Sequence, residues 1–234
     1  MNLRRLHSII ILAALFFVAG ADLLAAGSFT AIFVRKWGTA GSGDGQYNAT
    51  HGIGFIGGNV YAVDKVNHRI QYFDTNGSFL GKWGSYGSAD GEFTSPAVIA
   101  PSADGTRIYV IERDNHRLQH FTTAGTFQGK WGSQGSGDGQ FQSPGGVAVQ
   151  SDDTVYVADQ GNNRIQYFSS TGTFLGKWGS TGSADGQFDQ PISIAVSSIG
   201  QVYVADKENH RIQQFLIDTG IAPSHTLYLP LVIR

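Results

Sequence analysis

Four carboxylates each stand five residues before an arginine: Asp64 and Arg69, Glu112 and Arg117, Asp159 and Arg164, Asp206 and Arg211. Opposite charges flanking a tight turn join by charge-assisted hydrogen bonds and tie it. Between them stand His68, His116 and His210, with Asn163 in the remaining copy, a series that suggests zinc, whose nitrogen ligands approach to ~2.1 Å. Asp44, Asp90, Asp138 and Asp185 lie in glycine-rich loops and suggest calcium. Each loop supplies one carboxylate, whereas Ca2+ takes roughly 6 to 8 oxygens. Trp37, Trp83, Trp131 and Trp178 are the only tryptophans, and a fourfold set of aromatic platforms suits multivalent sugar binding. Every one of these series recurs with a repeat. What all copies share is explained by the copy, whereas catalysis needs unlike groups converging on one spot.

The elements that position these residues follow from the repeat. Lys-Trp-Gly starts at Lys36, Lys82, Lys130 and Lys177, spaced 46, 48 and 47 residues apart, and a fixed period of this length signals a repeat architecture. Each unit opens with Gly-Ser-x-Asp-Gly-x-aromatic, as in Gly135 to Phe141, then an apolar run such as Gly146 to Val149 or Ser193 to Val196. A β-branched and aromatic run follows, Val155 to Ala158 and its equivalents, ending on the acid. A polar turn leads to Arg-Ile-Gln-x-Phe, with Leu118 for Ile in the second unit, and a glycine turn leads to Phe-x-Gly-Lys-Trp-Gly. That makes four short strands and three turns per unit with no helical period. The predicted fold is all-β, a β-propeller of four four-stranded blades. In it the histidines sit one to two strand spacings of ~4.8 Å outside the innermost strand, so opposite blades hold them tens of ångströms apart. No metal site and no cofactor are predicted. Phe79, Gly81 and Trp83 share a face of the outermost strand, which predicts packing of the tryptophans between blades.

The turn carries the runs Asn67-His68-Arg69-Ile70-Gln71, Asn115-His116-Arg117-Leu118-Gln119, Asn162-Asn163-Arg164-Ile165-Gln166 and Asn209-His210-Arg211-Ile212-Gln213, each with an acid three residues before its first Asn. In these residues the chain resembles the NHL repeat family over about residues 32–217. The resemblance implies a β-propeller, commonly of six blades, where four are counted here. It also implies roles as a protein-binding platform, an RNA-binding domain, an extracellular sensor or, in a minority, a lyase of the type acting on peptidyl-hydroxyglycine.

Glycine stands at 32 of 234 residues, charged residues make up 15% and cysteine is absent, a turn-rich composition without disulfides or thiol chemistry. Arg4 and Arg5, the apolar run Ile9 to Val18 and Ala19-Gly20-Ala21 have the three parts of a secretory leader. The expected domains are a leader at 1–21, a segment at 22–31, the propeller at 32–217 and a tail at 218–234. Without the leader, 14 basic residues face 18 acidic ones, which argues against nucleic acid. The mature chain is expected to be secreted or otherwise extracytoplasmic, with no membrane span. Ile32 to Gly38 repeats the outermost-strand pattern, while the last unit lacks one. The N-terminal strand is therefore expected to complete the last blade, or two copies to share strands as a dimer, covering an open edge.

Residues that break the symmetry are the better site candidates. Thr50-His51-Gly52 stands where the other units read Pro96-Ala97-Val98, Pro144-Gly145-Gly146 and Pro191-Ile192-Ser193. His51, Lys65, Arg113, Lys207 and Glu208 are expected to form a ligand-binding rim of mixed charge. The leading expectation is an exported, non-catalytic binding scaffold for a protein, a peptide or an envelope glycan. The alternatives are a lyase-like enzyme with an axial site at His51, or a multivalent carbohydrate-binding propeller.

Overall fold

The computed structural model describes residues 31–217. The expected leader, the residues after it up to 30 and the tail at 218–234 lie outside the described residues. The chain divides into two compact units, residues 1–35 and 36–234. In the first, residues 31–35 are exposed and belong to no strand.

Among its described residues the second unit is all-β apart from a short 3-10 turn at Gln160–Asn162. Its first sheet runs Thr50–Ile56, Asn59–Asp64, Arg69–Phe73 and Phe79–Trp83, its second Pro96–Pro101, Arg107–Glu112, Arg117–Thr122 and Phe127–Trp131. The third runs Gly146–Val149, Val155–Asp159, Arg164–Phe168 and Phe174–Trp178, the fourth Pro191–Val196, Gln201–Asp206 and Arg211–Leu216. Each is an antiparallel meander in chain order. The inner strands of successive sheets are neighbours, so the sheets are the four blades of a β-propeller. Among the described residues no helix is long and apolar enough to cross a membrane.

Burial explains the strand composition. Val155 to Asp159 is buried throughout, as suits a second strand covered on both faces. In the outer strand alternate residues are exposed. Gly176 lies under the ring of Tyr167, whose hydroxyl would stand 2.3 Å from an added Cβ. The core lies between blades: one cluster joins Ile70 and Val63 to Phe93 and Phe121, the next Leu118 to Phe141 and Phe168, the third Ile165 to Phe188 and Val204. Each tryptophan seats on the next blade: Trp83, Trp131 and Trp178 lie 5.7, 5.8 and 5.5 Å from the rings of Phe121, Phe168 and Phe215. Trp37 lies 6.1 Å from Phe73 in the same manner.

The ends of the arc differ from its interior. Ile99, Val147 and Ile194 are 5 to 7% exposed, whereas Ile53, in the same register position, is 72% exposed. Ile70, Leu118 and Ile165 are fully buried, whereas Ile212 is 65% exposed. The last of the four blades also differs from the others in strand count. Among the described residues its sheet has three strands, and residues 32–38 belong to none. Trp37 is anchored on the first blade, while Ile53 of that blade and Ile212 of the last stay exposed where their equivalents are covered by a neighbouring blade.

Candidate functional site

The acid and arginine of each turn form a clamp. Arg164 Nε donates to Asp159 Oδ2 at 2.8 Å, Nη1 to the Ser136 carbonyl at 2.7 Å, and Nη2 to the carbonyls of Gly137 and Gln140 at 2.7 and 2.9 Å. Asp159 also accepts the Gln142 N–H, Asn162 and Gln166. Its side chain is fully buried, so these bonds serve the fold and the carboxylate is shut away from any substrate. The same clamp holds Arg69 to Asp64, Arg117 to Glu112 and Arg211 to Asp206. Burial tends to raise the Asp206 carboxyl, but hydrogen bonds from the Asp189 N–H, Asn209 and Arg211 outweigh it and hold the carboxyl below its usual range.

The loop carboxylates meet lysines: Lys82 with Asp44, Lys130 with Asp90 and Lys177 with Asp138, each at 2.5 Å. The turn histidines tie successive blades. His116 Nδ1 accepts the Ser143 N–H at 2.9 Å, His68 Nδ1 that of Ser95 at 3.4 Å, and Asn163 Oδ1 that of Gln190 at 2.8 Å. Among the described residues no three His, Asp or Glu side chains gather as metal ligands.

The five expected rim residues do not share one cavity. The His51 Nδ1–H donates to the Ala97 carbonyl of the second blade at 2.9 Å. Lys65 follows the first clamp, its N–H donating to the Ala49 carbonyl. Lys207 Nζ contacts Glu208 at 2.5 Å, and that hydrogen bond holds the Glu208 carboxyl below its usual range. Arg113 lines a polar cavity of about 330 Å³, with Gln142, Ser143, Gln160 and Asn163 of the third blade and Asp189 and Gln190 of the fourth, and Lys207 lines a separate one of about 300 Å³ beside His210 and Ile212. Gln160 is 4% exposed; its Nε2 donates to Gln190 at 3.1 Å, and its Oε1 has no partner. An apolar cavity of about 600 Å³ lies on the first blade against Trp37, Tyr47 and Ile53.

Sequence reasoning missed Gln142, Gln160 and Gln190. One signal was present: Gln160-Gly161 stands where the other turns read Lys65-Val66, Arg113-Asp114 and Lys207-Glu208. The third blade is thus the only one with an uncharged residue directly after its acid, beside the one turn with Asn for His.

The NHL repeat family model matches residues 141–168 and 188–215. No curated protein matches the sequence. Among solved structures the chain is similar to a streptogramin B lyase, at 14% identity and a TM-score of 0.53 over 73% of this chain and 55% of that one. A catalytically inactive virginiamycin B lyase from Staphylococcus aureus, with quinupristin, matches at 16% identity and 0.53, over 73% and 56%. The Swd1 β-propeller domain of Myceliophteria thermophila matches at 13% and 0.53, over 72% and 51%. The chain thus spans about half the length of these structures, and at such identities the likeness is one of fold. The two repeats outside the family-model matches use the same strands, turn and ion pair as the two inside them, and the chain is a β-propeller that carries NHL repeats at residues 141–168 and 188–215.

Proposed function

We propose that this protein is a non-catalytic binding scaffold whose polar cavity takes an extended protein or peptide segment. The observation that carries the reading is the lining: amides, a hydroxyl, one guanidinium and the Asp189 carboxylate, with the Gln160 Oε1 buried and unpartnered. A buried acceptor without a donor is costly unless a ligand supplies one. A peptide N–H is such a donor, and Arg113 suits a carbonyl or carboxylate of the same segment. The leader pattern of residues 1–21 supports an exported protein, with secreted or envelope proteins as partners. The tryptophans are turned toward the next blade and three of their indole nitrogens are buried without partners, which favours peptide over glycan.

A peptide selected on the wild-type protein from a displayed library provides the test. Arg113→Glu and Gln160→Ala should each weaken its binding more than tenfold, and His51→Ala should leave it unchanged. Unaltered binding in the first two variants moves the surface elsewhere. Turnover of a streptogramin B that is lost on His51→Ala overturns the non-catalytic reading.

A further inference from the structure

Every junction between blades repeats the same contacts, and each series lacks one partner at either end of the arc. The turn side chain accepts the next loop's N–H in His68–Ser95, His116–Ser143 and Asn163–Gln190. That leaves His210 at the last blade and the N–H of Ala49, the equivalent of Ser95, at the first. The lysine–aspartate series Lys82–Asp44, Lys130–Asp90 and Lys177–Asp138 leaves Lys36 at the first blade and Asp185 at the last with no ion pair. The apolar series leaves Ile53 and Ile212 uncovered, 72% and 65% exposed. Trp37 already seats on the first blade as Trp83 seats on the second. It therefore occupies the place of a preceding blade's outer strand, the element that the last blade's sheet lacks among the described residues.

We propose that two copies of this chain close into one ring of eight blades, each supplying the strand around Lys36 that completes the other's last blade. The unpaired backbone edge of Arg211–Leu216 is then covered, Lys36 meets Asp185 of the other copy, and Ile212 is buried against Ile53. A second copy is the fitting occupant because a face of this pattern is covered three times within the chain, each time by the opposite face of the same repeat. A head-to-tail contact either closes or propagates, and propellers close at about 4 to 8 blades, so two copies close the ring and three exceed it.

Light scattering on the purified chain is expected to give the mass of two copies. The chain has no cysteine of its own, so Lys36→Cys and Asp185→Cys can be placed in separate chains. A short bis-maleimide should join the two chains when they are mixed and neither chain to itself. Lys36→Glu should give single copies, and adding Asp185→Lys to that chain should restore the pair; both sites are exposed, so the fold tolerates the changes. A single-copy mass with no cross-link in the mixture overturns the proposal. So does a cross-link formed only within a chain carrying both cysteines, or a species that grows beyond two copies with concentration.

Discussion

Arg164→Met isolates the clamp at an enclosed junction between blades. Methionine keeps the apolar stem and removes every donor, so the hydrogen bonds to Asp159, Ser136, Gly137 and Gln140 are lost together. Asp159 keeps its neutral donors but loses its counter-charge at a site of 0% side-chain exposure. Breaking a buried pair from one side costs roughly 3 to 5 kcal/mol. The fourth blade supplies an internal control, because Arg211 makes the same bonds with its side chain 26% exposed, against 8% for Arg164. Water can replace part of what Arg211→Met removes, and its cost should fall to about 1 to 2 kcal/mol. Urea unfolding followed by tryptophan fluorescence reads both. With a slope near ~2.5 kcal/mol per M, the midpoint should drop by roughly 1 to 2 M for Arg164→Met and by clearly less than 1 M for Arg211→Met. Hydrogen exchange should show the larger loss of protection in the loop at 135–142. Equal midpoint shifts in the two variants would refute the argument that enclosure by the next blade sets the clamp's strength.

Trp83→Ala should cost about 3 to 5 kcal/mol, since its ring fills the junction against Tyr61, Tyr72 and Phe121 and large buried aromatics carry that cost; undiminished stability in a calorimetric scan would put the ring outside the core. His120 is held neutral by burial and then by the charge of Arg107, so its pKa lies below the ordinary value. The unfolded chain takes up a proton there that the folded one refuses, so stability drops as pH falls below ~6.5. His120→Tyr, which copies Tyr72 and Tyr167, should therefore show a smaller loss of melting temperature between pH 7.5 and 5; parallel pH profiles would refute this. Cleavage of the leader after Ala21 should appear as loss of residues 1–21 in the intact mass of exported protein, and retention of Met1 contradicts it.

Much of the blade was legible because its pattern is local. The run from Val155 ends as a strand at Asp159, the expected acid, and Arg164 to Phe168 forms the next one; alternation, β-branching and turn residues all act within a few positions. The place of Ile32 to Gly38 was not legible for the opposite reason. Its sequence repeats the pattern of Ser78 to Gly84, but whether it pairs depends on an edge some 180 residues away, at Arg211–Leu216, and no local propensity encodes the curvature of four blades. The polar cavity was hard to read for the same reason. Charge drew notice to Lys207 and Glu208, which contact each other, while the glutamines that line the cavity beside Arg113 look like ordinary loop residues.

The seating of each tryptophan on the blade that follows it sets an order in time. Synthesis delivers the chain from its N-terminus, and Trp83 cannot be covered until Phe121 has taken its place in the second blade, nor Trp131 until Phe168 has done so in the third. At about 5 to 20 residues per second, one repeat of 47 residues separates the appearance of a blade from its enclosure by roughly 2 to 9 s. Nascent blades are thus exposed one at a time and in sequence. A ribosome pause inside a repeat would lengthen the exposure of one identifiable indole, the one belonging to the blade just completed.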